Sequence, residues 1–495
     1  MRPLPNRLLF AAVVLTAAVF SQRAVVADVK LPAIFGDHMV VQRGKPVMLW
    51  GWADPGEKIT VAESTENTLS KGTTTTADKN GSWSVRLKPF RMNETYDIRV
   101  SGKNDILLTD VLVGEVWVCS GQSNMQWSVT ASNNAKREIA DAKHPKIRLF
   151  YVPRVPAGTP AKDVKAKWEI CSPKTVGRFS AVSYFFGRHL NKELKVPIGL
   201  IHTSWGGTRI EPWTPPVGFQ SVKSLKGIAD RVAGINRSYE EIVKSSKKLG
   251  KKPPKHPLAS NRRPTGLYNG MVAPLVPLSI RGAIWYQGES NRGDGLKYEQ
   301  KMHALINGWR KVFKQGDFPF YYVQLAPFRY RGDKTLLARV WEAQTNVLKM
   351  KNTGMAVIVD IGNTRNIHPR NKQDVGKRLA LWALAKDYGR KDLVYSGPLY
   401  KSMKVEGDRI RIAFDHVGGG LVSRDKKALS WFTIAGKEGK FVPAKAVIDG
   451  DTVVVSSDDV KVPRNVRFGW DQLAEPNLSN KAGLPASPFR TDRGK

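Results

Sequence analysis

The spacing of apolar and polar positions divides the chain into three regions. From residue 28 to about 105, short runs rich in β-branched and aromatic residues alternate with turn signals: VVQRGKPVMLWGWADPGEKITV, DKNGSWSVRL and ETYDIRV. DPGE at 54–57 and KNGS at 79–82 are turn sequences, the second a hairpin signal, so a small β-sandwich-like unit is expected here. From 106 to 393, strand-like runs alternate with longer runs of helical period. Val182, Phe185, Phe186, His189 and Leu190 share one helical face, as do Tyr298, Met302, Leu305, Trp309, Val312 and Phe313. Residues 336–348 read as another helix, and Val375, Leu379, Trp382 and Ala383 mark the last. VLVGEVWV, VPIGLIHTSWGG, FPFYYVQLA and MAVIVD read as buried strands. This rhythm is that of an α/β domain with a parallel sheet. After 394 the pattern returns to β-type in GDRIRIAF, LSWFTIAG, DTVVVSS and NVRFGW, which predicts a second β-sandwich-like domain with a loose tail from Pro476 onward.

Polar, basic sequence at 217–262 interrupts the α/β rhythm and is expected to be an insertion at the sheet's edge. Within it, KSSKKLGKKPPKH at 244–256 reads as a mobile basic loop.

With 495 residues, two or three cores are expected. Residues 1–27 carry Arg2 and Arg7, an apolar run of about 13 residues, and small residues at Val25 and Ala27, which reads as a signal peptide cleaved after Ala27. Export, to a periplasm or the extracellular space, is therefore expected, without a membrane span after cleavage. The two cysteines, Cys119 and Cys171, exclude a disulfide scaffold; one bridge or two buried thiols remain open. No metal-ligand spacing occurs, and neither metal nor cofactor is expected. The formal charge is +36, from 79 Lys and Arg against 43 Asp and Glu. That sign draws anionic polymers, but no motif for specific nucleic-acid readout accompanies it.

Candidate chemistry lies where buried strands stop at small polar turns. Residues 111–127, VLVGEVWVCSGQSNMQW, end a strand at Ser120 to Asn124, where an open α/β sheet binds ligands. Ser123 is the candidate nucleophile there, with a helix cap as its alternative role and Gln122 as a candidate substrate contact. TSWGGTRIEPW at 203–213 offers Gly207, with Gly206 one position away, as a backbone donor to an oxyanion. Arg209 beside it is a candidate partner for a substrate carboxylate, or a member of a structural salt bridge. AIWYQGESN at 283–291 offers Gln287 as an amide donor and Glu289 as a buried network residue. Of the eight histidines, His368 follows a strand and a polar loop and precedes the last helix; His202 also follows a strand.

CSGQSNMQW, the GGT…I-E-x-W run, Trp-x-Gln-Gly-Glu and the I-H-P…N-K-x-x-V-G-x-R-L-A run resemble, in order, the blocks of the SGNH hydrolases. The likeness is to the branch of sialate O-acetylesterases and related carbohydrate acetylesterases, and it extends over roughly 28–490. It implies an SGNH-type, flavodoxin-like three-layer α/β domain flanked by β-sandwich-like domains. It also implies Ser123 as nucleophile, His368 as general base, and Gly207 and Gln287 in the oxyanion hole. Where many SGNH enzymes carry an aspartate three residues before the histidine, this chain has Arg365. His368 is then held by a backbone carbonyl, by Asp360 or by Glu289. The expected activity is hydrolysis of O-acetyl groups from sialic acid or a related glycan. The alternatives are a polysaccharide acetylesterase, such as one acting on xylan, and a non-catalytic carbohydrate-binding protein.

Overall fold

The computed structural model describes residues 28–492; the expected signal peptide lies outside them. One long strand, β1 (Asp105–Gly121), organises the rest. Its first six residues are exposed or half-buried except for Leu108, whereas every residue from Val111 to Gly121 is buried. The first half pairs antiparallel with Thr95–Ser101 of the N-terminal β unit. The second half enters the α/β sheet and is covered on both faces. The N-terminal unit accordingly shares one continuous core with the α/β region.

The other strands of that sheet are β2 (His144–Tyr151), β3 (Trp168–Cys171), β4 (Ile198–Ser204), β5 (Gly282–Tyr286), β6 (Phe320–Val323) and β7 (Thr353–Ala356). They lie in the order β3-β2-β4-β1-β5-β6-β7, parallel except for β3 against β2. Without the β2–β3 extension, the order β4-β1-β5-β6-β7 is that of a flavodoxin-like sheet, whose switch point falls between β1 and β5.

Strand alternation sorts the large aromatic side chains into two helical layers. Tyr321 of β6 faces Trp117 and Trp382, and Trp117 meets Phe186, so α1 (Ala181–Leu194) and the final helix of the domain cover one face. Phe320 and Trp285 point the other way, onto Trp309 of α2 (Tyr298–Phe313). Tyr322 shares that face and donates to the Gln344 carbonyl of α3 (Leu336–Asn346). The final helix, α4 (Lys372–Asp387), starts at Asn371, whose side chain accepts from the Asp374 N–H.

Beyond this domain, two four-stranded antiparallel sheets enclose a separate core that includes Ile410, Ile412, Phe432, Val453 and Phe468. The structure corrects three expectations. The tail from Pro476 is not loose: Leu478–Asn480 and Phe489–Arg490 are strands, and Leu478, Ala486 and Phe489 fill this core. The strand read in MAVIVD stops at Ala356, although Val357, Ile358 and Val359 stay buried. The basic run at 244–256 is not a free loop. Its first five residues end the helix Lys226–Lys248, and the rest folds back so that the Tyr239 and His256 rings lie 4.1 Å apart.

Candidate active site

The crevice at the switch point is built by sharp turns at the ends of β1 and β5. Gly121 adopts φ +146°, and a Cβ there would fall 2.1 Å from the Tyr286 carbonyl oxygen. Only glycine lets the two strand ends approach this closely. The turn places Ser123 first in the short helix Ser123–Gln126, half-buried, with its N–H free of any intrahelical acceptor.

Gly206 packs directly on this serine: a Cβ there would lie 3.3 Å from Ser123 Cβ. The Gly206 N–H is taken by Gln126 Oε1 at 2.7 Å. Gly207 follows at φ +72° and is exposed; its N–H has no hydrogen bond among the described residues. The sequence pointed to both glycines, and the structure separates a packing residue from a free donor.

His368 lies on the same crevice, its ring stacked on Trp127 with centroids 5.0 Å apart and 20° between planes. Burial and the nearby Lys372 charge hold its pKa below the ordinary histidine value. Neither carboxylate considered for orienting it does so here. Asp360 is gripped by Arg378 through bonds of 2.6 and 2.7 Å. Glu289 accepts from Asn124 Nδ2 at 2.6 Å. His202 is buried, bonded through Nε2 to Ser204 Oγ at 2.6 Å, and pushed down to about 3 by burial. It belongs to the core.

Beneath the crevice lies a polar chain of which sequence reading found Glu289, as a buried network residue, but missed Asn124 and Lys372. Asn124 Nδ2 also donates to the Ile367 carbonyl at 2.9 Å, tying the residue after Ser123 to the residue before His368. Its Oδ1 accepts from Lys372 Nζ at 2.5 Å. Lys372 is fully enclosed between the Tyr286 and Trp127 rings, and burial lowers its pKa to about 7. Burial pushes Glu289 the other way, up from the ordinary carboxylate value. One signal for Lys372 was legible: it sits three residues before Val375 and seven before Leu379, on the apolar face of α4. The partners of Asn124 are 165, 243 and 248 residues away, and no local pattern points to their pairing.

The remaining candidates are engaged within the protein: Gln122 and Gln287 are buried, and Arg209 is exposed but paired. Gln287 is fully buried; its Nε2 reaches Gln122 Oε1, the Thr208 carbonyl and Asn291 Oδ1, while Tyr298 donates to its Oε1. Two amide hydrogens facing three acceptors leave none for a ligand. Gln122 is likewise buried, and its Oε1 also accepts from the Gly288 and Ser290 N–H groups. Both residues hold the β5 turn against the β1 turn, Gln287 through its amide hydrogens and Gln122 through Oε1, which leaves the Gln122 Nε2 hydrogens without an acceptor among the described residues. Arg209 is engaged by Glu211 and Asp294, and Lys301 bridges the same two carboxylates at 2.7 Å each. This balanced set leaves no unpaired cation for a substrate carboxylate. Asn291, also missed from sequence, joins it to Gln287 by donating to Glu211 and Asp294.

A doubly wound domain with a polar crevice at its switch point belongs to the α/β enzyme class, and comparison with known proteins gives the chemistry. Residues 113–384 match the family described as carbohydrate esterase, sialic acid-specific acetylesterase, and the chain belongs to that family. It is 31% identical to the sialate O-acetylesterase of Rattus norvegicus, over 92% of both chains. It is 31% identical to that of Homo sapiens, over 79% of this chain and 77% of the relative. Among solved structures, a carbohydrate acetylesterase from Xanthomonas citri superposes with TM-score 0.82 at 37% identity, covering 94% of this chain and all of that one. The protein is thus a carboxylic ester hydrolase, and its family implies acetylated carbohydrate substrates. Among the described residues no helix is long and apolar enough to cross a membrane.

Proposed function

We propose that this carbohydrate esterase is exported and removes O-acetyl groups from sialic acid or a related glycan through an acyl-enzyme on Ser123. The reading rests chiefly on one juxtaposition: Ser123 opens the helix at the end of β1, and His368 stacks on Trp127 one turn further along. Ser123 Oγ attacks the acetyl carbonyl carbon while His368 takes its proton. The ester C–O bond then breaks, and the sugar oxygen leaves with that proton. Water, deprotonated by the same histidine, attacks the acyl carbon, and acetate departs as Ser123 Oγ regains a proton. The Ser123 and Gly207 N–H groups stabilise the tetrahedral oxyanion. Gln287 stiffens the turn beside them.

Acetate release from O-acetylated sialic acid and from acetylated xylan, by the mature protein and by Ser123→Ala, tests the proposal. Sialate turnover abolished by the substitution is the expected result. Turnover of xylan alone would keep the mechanism and replace the sugar. Release from neither by folded protein would favour a non-catalytic carbohydrate-binding role.

A further inference from the structure

The positive charge of this protein is not evenly spread. Residues 223–263 hold twelve Lys and Arg against three Asp and Glu, and 244–263 hold eight against none. All eight of the latter are exposed: Lys244, Lys247, Lys248, Lys251, Lys252, Lys255, Arg262 and Arg263. Among them only Lys244 has an ion-pair partner among the described residues, Glu241 at 2.9 Å.

The segment is also held in shape. Helix Lys226–Lys248 buries only Ala229 and Val232, so it stands away from the domain along most of its length. The chain after it returns along the helix: the Lys251 N–H donates to the Ser246 carbonyl, and Tyr239 Oη donates to the Pro254 carbonyl at 2.8 Å. His256 then packs on Gly158, where a Cβ would lie 2.1 Å from its ring. From Glu211 the chain runs through buried Trp213 and Phe219, leaves the domain near Ser224, whose Oγ donates to Gln300 Oε1 in the first turn of α2, and meets it again where the Thr265 N–H donates to the Glu211 carbonyl. Glu211 lies four residues beyond Gly207, so the arm rises from the active-site edge of the sheet.

We propose that this arm, 223–263, is a docking surface for a polyanionic glycan, a carbohydrate chain bearing repeated carboxylates, which it holds beside the esterase crevice. The proposal rests on the carbohydrate-esterase reading for the kind of polymer, and on charge and placement for the site. Fixed cations along one ridge match repeated fixed anions, and their field raises the local concentration of such a chain. Other anionic surfaces fit less well. Ile242 and Leu249 are isolated exposed apolar residues, too few for an amphipathic face that enters a bilayer. The one Phe, Tyr or Trp side chain of the arm, Tyr239, is half-buried and packs at a tilt of 56° on His256, and a single such ring makes no platform for successive unpaired bases.

The test is binding of polygalacturonate by the full chain and by Lys247→Glu/Lys248→Glu/Lys251→Glu/Lys252→Glu. A control reverses four exposed lysines of the C-terminal domain, Lys426, Lys427, Lys437 and Lys440. Wild type and control should bind alike, with affinity falling roughly tenfold or more between 50 and 300 mM salt as screening grows. The arm variant should lose at least about tenfold at low salt, as expected when the steering field is reversed. Its turnover of p-nitrophenyl acetate should be unchanged. Equal loss in arm and control variants would overturn the location. Binding of duplex DNA or phosphatidylglycerol vesicles without polygalacturonate would overturn the ligand class. Polymer binding by the arm in a protein inactive on every acetyl ester would sink the catalytic proposal and leave the docking surface standing.

Discussion

Lys372 Nζ lies 2.5 Å from Asn124 Oδ1, so a buried lysine supports the residue that follows the proposed nucleophile. Asn124 in turn bonds to Glu289 and to the carbonyl before His368. One amide thereby links three turns that arrive from distant parts of the sequence.

Replacing that amide should be costly. Asn124→Ala removes both donated bonds and leaves the Lys372 ammonium without its acceptor, a loss of roughly 2–4 kcal/mol. Urea unfolding measures it. Because the link spans the Ser123 and His368 turns, kcat should fall more than KM rises. A variant as stable as wild type would show the network to be dispensable.

Lys372 also predicts a pH dependence of stability. Its folded-state pKa is about 7 against an ordinary 10.5. Between those values the unfolded chain binds a proton that the folded protein has shed, so this group's contribution improves as pH rises through that window and is least favourable below 7. Each unit of the difference corresponds to about 1.4 kcal/mol. Lys372→Met removes this rise. It also leaves the raised Glu289 carboxyl, whose contribution falls with rising pH, without a nearby cation. Unfolding midpoints from pH 6 to 10 should therefore show the variant losing ground to wild type as pH increases; parallel curves would contradict the burial of an ionisable lysine.

The acidic limb of kcat/KM should lie below the ordinary histidine value of 6.5, because burial first, and Lys372 second, disfavour imidazolium at His368. Trp127→Ala, which uncovers the ring, should move the limb upward, while Trp127→Phe should largely preserve it. A limb unmoved by the alanine would count against His368 as the titrating base.

The two neighbouring glycines should respond differently. At Gly206 an added Cβ meets Ser123 Cβ at 3.3 Å and Gln126 Oε1 at 3.2 Å. At Gly207 it meets nothing within 4 Å, though φ +72° makes alanine cost roughly 1–2 kcal/mol. Gly206→Ala should thus lower kcat at least several-fold more than Gly207→Ala, which keeps its N–H. The reverse order in steady-state kinetics would reassign the serine's neighbour.

Cys119 and Cys171 are separate buried thiols, and burial raises both to about 12. Iodoacetamide should leave the native protein unmodified and add two labels after denaturation. A single mass consistent with a bridge would refute this.

Much of the architecture was legible because local periodicity carries it. The run 111–118, apolar apart from Gly114 and Glu115, is a strand buried on both faces, and the helical faces around Phe186, Trp309 and Trp382 are those that cover the sheet. Turn chemistry marked the strand ends, and with them Ser123, the two glycines and the His368 loop. Only the tertiary structure decided how those turns meet. Gln287 and Arg209 look like ligand contacts in sequence, but a side chain's free hydrogens depend on which acceptors the fold brings to it, and for these two the acceptors are internal. The tail from Pro476 has weak local β signal and is ordered by a core laid down earlier in the chain. Asn124 and Lys372 became a pair because 248 residues of chain close between them; burial then sets the lysine's proton affinity, a property of enclosure that no stretch of sequence contains.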